Sequence, residues 1–600
     1  MRFTLIRTPL LAGLVALSCV GAQAFSLDDR DEMKFSLRAY SGVRLATESK
    51  GGEEDPLSYP RSSAGHVQQH RYFLELKLDH DILRLASTGW GLARAFDWLQ
   101  ARTLKYVLHY RGEGEGIYTY GPHEWSHERE DLEAVRLDVP SIPPLVSPVL
   151  SQGYIRRRLR RLDRLGDQRH RLFLAYLDVE KGPLFVRLGR QILAWGETDR
   201  FRLLDNINPL DDSFGGFFIA LDERRLPLDM LRASYQIGSV GPASDAFVEA
   251  FAAFGNRDAT QPGAPLGSPW VPGGLGFPNP ALRFTNEVPA KNATRGGARL
   301  VFNAADTTFT LAHYYTALDV PGVRFIIPQP ENGLGGANFG REIIARQEFP
   351  RVPITGASLT TALPSLYSVL RAEAAYFQGE PMNRQGRGDS FDSFVTPGTP
   401  GYLRLVRQHN TEGGLDPFVY PRFLDGTRER RVVGSLLQRD SFNMAVGWDA
   451  NPYVRWLNRA QTLLVTTQFF YKHVFDSPGD LVLPSPYRVI GVSPSIPIFG
   501  SLCGGGTRPC RLRPRLYHLD DDRFLHTLLI TTSYYSGRLL PQIGVFYDWQ
   551  GVVVLQPGLT FVHDPYRVLI GYTRVEGPPT GLFGAVRDRD NIHFQLEFVF

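Results

Sequence analysis

The last ten residues, NIHFQLEFVF, constrain this chain more than any other stretch. Ile592, Phe594, Leu596, Phe598 and Phe600 form an unbroken apolar row, and His593, Gln595 and Glu597 fill the alternate positions. A period of two belongs to a strand, because successive side chains leave a pleated backbone on opposite faces. A strand of about ten residues, tilted, crosses a bilayer, so one face can meet lipid and the other a watery lumen. The row ends on Phe600 at the chain terminus, where an aromatic residue reads as the signal taken by a barrel assembly machinery.

The pattern recurs. Tyr72, Leu74, Leu76 and Leu78 alternate with Phe73, Glu75, Lys77 and Asp79, and Leu104, Tyr106, Leu108 and Tyr110 with Lys105, Val107 and His109. Phe442, Met444, Val446 and Trp448 do the same, as do Val568, Ile570 and Tyr572. Connection lengths give an independent test, since membrane barrels have short turns at one rim and long loops at the other. Short links fall at 563–565, 536–540, 450–458, 361–365, 304–305, 238–244 and 181–183, and long segments lie between them, with a tight Gln550-Gly551 hairpin as the one short exception. The spacing predicts an all-β fold: a single transmembrane antiparallel β-barrel of 16–18 strands, the lower count applying if the weak segment 352–360 is not a strand. At that size side chains no longer fill the interior, so the barrel encloses a lumen.

The amino terminus fits export. MRFTLIRT carries two arginines, PLLAGLVALS is apolar and AQA precedes Phe25, which reads as a signal peptide over residues 1–24. The alternative is a lipid on Cys19 in LSCVG, but Ala16 stands where such a site carries leucine. Beyond this segment no apolar run is long enough for a membrane helix. A net charge of +4 over 600 residues argues against a nucleic-acid binder. The 59 arginines against 7 lysines suit contact with lipopolysaccharide phosphates at an outer-membrane lipid surface. Within the long loop 474–522, Cys503 and Cys510 in CGGGTRPC are near enough in sequence to close a disulfide in an oxidising compartment; two free thiols are the other reading.

Two features of the long loop 112–170 invite other chemistry. HEWSH matches the H-E-x-x-H zinc pattern, and on a helix His123 and His127 would share one face. A zinc peptidase needs a third ligand and a buried cleft, and no histidine follows His127 before His170. The acids around the motif read instead as a hydrated surface, leaving metal binding without catalysis. IRRRLRRLDRLGDQRHR, residues 155–171, has helical spacing of Ile155, Leu159, Leu162 and Leu165 under an arginine face, which predicts a basic amphipathic helix.

Residues 172–213 read strand, two-residue turn, strand, then a polar loop opening on Trp-Gly-Glu. The elements RLGRQ (187–191), WGE (195–197) and NPLD (208–211), with ERRLPLDML, ITGASL, LRAEAAYF and WLNRAQTLLVTTQFF further on, resemble a family of outer-membrane barrels catalogued as domain of unknown function 1302. The stretch RFRLLDNINPLD departs from the Gly-rich segment many members carry there, as in a divergent branch. The resemblance implies a barrel and a role in moving hydrophobic or amphipathic molecules, in concert with an inner-membrane exporter and a periplasmic lipid carrier. The loop 195–227 is expected to fold into or over the lumen. Its candidates for a lumen constriction are Trp195, Glu197, Asp199, Arg202, Asp205, Asn206, Asn208 and Asp211, with Arg187 and Gln191 on the strand before it. Charges facing each other across a lumen would select solutes; equally, they would tie the loop to the wall. The Asp/Asn spacing of DNINPLDD also carries a faint calcium signal without the EF-hand order.

The reading is therefore a conduit without catalytic residues or cofactor, and a general diffusion porin for small polar solutes is the nearest alternative. An outer-membrane hydrolase using His123 is the alternative of another class. Calorimetric titration with zinc separates the readings of HEWSH. One ion bound, with affinity lost in His123→Ala and His127→Ala, marks a metal site, and an absence of heat leaves two surface histidines.

Overall fold

The computed structural model describes residues 25–26, 33–49, 63–83, 98–122, 169–199, 201–254, 269–270, 282–287, 294–319, 322–328, 343–384, 418–419, 430–433, 437–479, 481–482, 519–578, 583–587 and 589–600. HEWSH, the two cysteines, the signal segment and residues 155–168 lie outside them.

Eighteen strands make one closed antiparallel wall. The first six are β1 (Met33–Ala46), β2 (Val67–Asp81), β3 (Thr103–Glu115), β4 (Arg169–Lys181), β5 (Leu184–Gln191) and β6 (Leu228–Val240). Next come β7 (Ala243–Ala253), β8 (Arg295–Ala304), β9 (Thr307–Ala317), β10 (Arg351–Leu363), β11 (Ser368–Arg384) and β12 (Leu437–Ala450). The wall ends with β13 (Leu464–Val474), β14 (Asp522–Thr531), β15 (Leu539–Asp548), β16 (Val552–His563), β17 (Tyr566–Glu576) and β18 (Asn591–Val599). Each strand pairs with the next, and β18 pairs back onto β1 from Arg38↔Val599 to Ala46↔Asn591. Closure satisfies every wall strand on both edges, which a bilayer demands because it offers no water to an open edge. The segment 352–360 is a strand, so the count is 18 rather than 16.

The alternation places the side chains as the period of two requires. On β17 and β18 Val568, Ile570, Phe594 and Leu596 are exposed on the outer face, and on β5 to β7 so are Leu188, Leu231 and Val248. The lumen side of β2 and β3 carries Arg71, Glu75, Arg111 and Glu113. At the rim holding both chain ends most links are tight, the longest being 82–102 and 451–463. Ala305 and Asp306 both take positive φ, the conformation a two-residue turn needs to match strand twist. At the other rim, segments from three long loops form a separate five-stranded sheet of 282–287, 322–328, 343–348, 418–419 and 430–433.

One expectation is corrected. Arg169 and Arg171, placed by helical spacing at the end of a basic helix, lie in β4, where Arg169 pairs in register with Glu113 and Arg171 with Arg111. The carboxylate of Glu113 takes both guanidiniums, at 2.7 and 2.8 Å, and pairing across the sheet outweighs the local helical pattern.

The two faces respond differently to charge. Ile570→Arg, at the middle of β17, is expected to cost about 2–4 kcal/mol, read from denaturant unfolding of the barrel folded into phospholipid vesicles. Gln595→Arg on the lumen face of β18 should cost far less; equal losses would contradict the assignment of faces.

Candidate functional site

The chain between β5 and β6, residues 192–227, turns into the lumen. Its departure is built by the RLGRQ stretch: Gly189 has φ of 126°, and a Cβ there would lie 2.3 Å from the carbonyl oxygen of Ala175. Only glycine permits that approach. Gln191, fully buried, donates its side-chain N–H to the Met230 carbonyl at 3.0 Å, and Asn208 clamps the root of the segment. Its Oδ1 accepts from Leu193 N at 2.8 Å, while its Nδ2 donates to Leu226 O at 2.8 Å.

From there the segment reaches the β7–β13 side of the wall. Trp195 is buried against Phe251 and Tyr314, and its indole N–H donates to Glu249 at 2.6 Å. Glu249 also holds Arg232 at 2.5 Å and Arg299 at 3.0 Å. Residues 197–204 form a lobe pinched at its neck by Glu373 on β11, whose carboxylate accepts the amides of Glu197, at 2.7 Å, and of Leu204. At the tip Asp199 pairs with Arg371 at 2.9 Å, and Gln468 accepts the Asp199 amide at 3.3 Å. Phe201 packs among Phe470, Phe546 and Phe583. Leu204 sits over Gly356, where an added Cβ would come 2.6 Å from the leucine, so the wall has a glycine where the segment presses closest. Tyr314 donates to Leu204 O and Thr316 to Asn206 O, each at 2.8 Å.

The return path is fastened to the opposite wall. Asp211 pairs with Arg169 at 2.5 Å, and Gln69 donates to the Phe214 carbonyl at 2.6 Å. Arg44 donates to the Phe218 carbonyl at 3.1 Å. Glu223, in the short turn Leu221–Arg224, receives Arg38 at 2.9 Å, Arg71 at 2.7 Å and the Tyr40 hydroxyl at 2.7 Å. Burial alone would raise the Glu223 carboxyl, but Arg71 and Arg38 outweigh it and hold the group below the ordinary glutamate range. Within the segment Arg225 pairs with Asp205 at 2.5 Å, and Arg202 reaches out of it to Asp319, just past β9. Burial pushes the Arg202 guanidinium down to about 10.

The predicted residues thus come together, but in unequal roles. Gln191, Trp195, Arg202, Asp205, Asn208 and Asp211 are buried in contacts that bind the segment to itself or to the wall. Asn206 is half-buried, its amide donating to Leu203 O at 2.6 Å. Arg187 pairs with Asp178 at 2.6 Å over the ring of Tyr176, and Asp199 keeps half its side chain exposed. The acids that hinted at calcium are answered by arginines: Asp205 by Arg225, Asp211 by Arg169 and Asp212 by Arg224. Glu113, Glu223, Glu249, Arg371 and Glu373 escaped the sequence reading. For all but Glu223, which lies in the segment itself, the signal was a charged residue at a lumen-facing position of a membrane-length strand, as in AFVEAFAA and LRAEAAYF.

Fold and site define a transmembrane β-barrel of porin-like architecture, its lumen occupied by a segment of its own chain. The chain belongs to the family described as "Protein of unknown function (DUF1302)", whose profile matches residues 171–600. Among solved structures it is similar to Acinetobacter baumannii OccAB4, at 9% identity over 95% of this chain and 97% of that one, with a TM-score of 0.39. It is also similar to Pseudomonas aeruginosa OccK2 (OpdF) in complex with glucuronate, at 8% identity over 97% and 99% of the two chains and a TM-score of 0.39. A third is Pseudomonas putida OprB, at 12% identity over 95% and 94% and a TM-score of 0.35. No curated protein matches the chain.

The lowered Glu223 carboxyl sets the sign of an acid response. The stability it lends to the docked segment is full above the ordinary glutamate value of about 4.3 and is lost as pH falls through the lowered folded value. Limited proteolysis of 192–227 against pH should show protection failing on the acid side, and Glu223→Gln should remove that part of the pH dependence; identical profiles would contradict the role given to Glu223.

Proposed function

We propose that this barrel is an outer-membrane channel of a Gram-negative envelope in which the segment 192–227 governs passage, and that its cargo is hydrophobic or amphipathic. One observation carries the reading: the segment is tied to facing walls, to β11 and β13 through Glu373 and Gln468 and to β1–β4 through Glu223 and Asp211. A lumen crossed in this way passes solute only when some of those ties release. The aromatic cluster of Phe201, Phe217, Phe218, Trp270, Phe546 and Phe583 inside the barrel supports an apolar cargo, since these rings pack as a contiguous apolar surface. Arg–carboxylate pairs border it and would receive a charged head group. An exporter in the inner membrane and a lipid carrier in the periplasm would supply or remove such cargo, and lipopolysaccharide would border the outer rim.

Single-channel recording in planar bilayers tests the reading. The intact barrel should be nearly silent, and a variant lacking 195–212 should show stepwise conductance, with heat-modifiable mobility on gels reporting that both barrels fold. Proteoliposomes carrying the deletion should take up a fluorescent long-chain amphiphile faster than a sugar. Steady conductance from the intact barrel with a preference for sugars would establish the general diffusion porin instead.

A further inference from the structure

Three neighbouring turns at the rim that holds the chain ends form a platform. They are 364–367 between β10 and β11, 451–463 between β12 and β13, and 532–538 between β14 and β15. Hydrogen bonds join them: Asn451 N donates to Tyr367 O at 3.1 Å, and the Tyr534 hydroxyl donates to Leu457 O at 2.9 Å. Asn458, buried between two of them, donates to Thr532 Oγ1 at 2.9 Å and Ser533 O at 2.8 Å and accepts the amides of Ala460 and Gln461 at 3.0 Å. The turns are therefore mutually ordered.

What they display is unusual. The large apolar side chains exposed on the strands, which face lipid, are between 36% and 59% exposed. Trp456 is 85% exposed, Tyr367 and Tyr535 77%, and Tyr453 and Leu366 61%; among the described residues only Trp98 and Tyr120 otherwise reach 60%. Arg455, Arg459 and Arg538 are exposed among these rings, and none of the three turns contains an aspartate or glutamate. Four other links at this rim, at 182–183, 241–242, 305–306 and 564–565, are two residues long and carry no aromatic; the longer link 82–102 carries the exposed Trp98, with Asp97 beside it in sequence. What sets the three joined turns apart is that their rings stand with arginines and without an acid, and Trp456 sits midway along a turn eight residues beyond the lipid-facing Trp448.

We propose that this platform is the docking surface for a soluble periplasmic protein that presents carboxylates around an exposed apolar side chain. The carboxylates meet Arg455, Arg459 and Arg538, and the apolar group seats among Tyr367, Tyr453, Trp456 and Tyr535. Tyrosine, tryptophan and arginine are the residues that carry most binding energy at protein interfaces, and an acid-free cationic rim steers an acidic partner to one orientation.

The test places a photo-crosslinking amino acid at Trp456, at Tyr535 and, as control, at Asp306 in the full-length protein in the bacterium that makes it. The expected result is one discrete protein adduct from positions 456 and 535 and none from 306. The adduct should be lost in Arg455→Glu/Arg459→Glu/Arg538→Glu and weakened in the milder Arg455→Gln/Arg459→Gln, with barrel mobility on gels unchanged. The purified adduct partner should be acidic and should bind the wild-type barrel with an affinity that falls as salt rises. Adducts to lipid alone, to a second copy of this chain, from 306 as readily as from 456, or unchanged by the arginine variants would each overturn the proposal.

Discussion

Backbone polar groups in a bilayer must find their partners within the protein, and everything else in this molecule follows from that demand. Sheet closure from β1 to β18 meets it, at the expense of an interior that side chains alone cannot fill. The chain resolves this with its own backbone. Residues 192–227 enter the lumen where β5, eight residues long, stops at Gln191, so the short strand and the inward segment are one feature. The irregular backbone survives at membrane depth because the wall satisfies it: Glu373, Tyr314, Thr316, Gln69 and Arg44 each bond a main-chain amide or carbonyl of the segment.

The fastening is ionic where it sets position and apolar where it fills space. Glu113 holds three arginines, Arg71, Arg169 and Arg171, and Glu249 holds two together with the Trp195 indole. Buried pairs of this kind add little net stability because desolvation offsets attraction, yet removing one partner costs about 3–5 kcal/mol by stranding the other. They define where the segment sits. Cohesion comes instead from Leu193, Leu203, Leu204 and Ile207 packed against Met230, Val352, Ile354 and Phe377.

The barrel was legible from the sequence because period-two alternation and the rhythm of short and long links are local properties. Phe594 and Leu596 declare their face without reference to any other residue. The loop was legible as a cluster of charges but not in its partners. Whether Asp211 faced water or arginine depended on β4 carrying Arg169 into the lumen opposite Glu113, a relation between residues far apart in the chain. Arg169 and Arg171 misled for the same reason: read locally their spacing continued a helix, and only the register with β3 made them strand. Glu373 was missed because one charged residue looks ordinary until the segment it holds is known to pass in front of it, and Glu223, inside that segment, because its partners Arg38 and Arg71 lie on strands far away in the chain.

The parts of the segment are not equally held, and the difference bears on how a filled lumen can open. The return path is anchored by Asp211 and Glu223, each bound by arginine from the wall. The tip of the lobe, from Glu197 to Phe201, is held differently, whereas Arg202 pairs with Asp319 and Leu203 and Leu204 are buried in the core. Glu373 grips the neck of the lobe through two backbone amides, without an arginine or lysine pair among the described residues, and at its tip Asp199 is half exposed. A half-exposed ion pair is screened by solvent, so this tip is the least costly piece to displace. Phe201 moves with it, away from Phe470 and Phe546. Withdrawal of this tip would bare an aromatic surface on β13–β15 while the ties to β1–β4 keep the rest of the segment in register, so an amphipathic cargo of the kind proposed would meet an apolar wall and the barrel would stay closed.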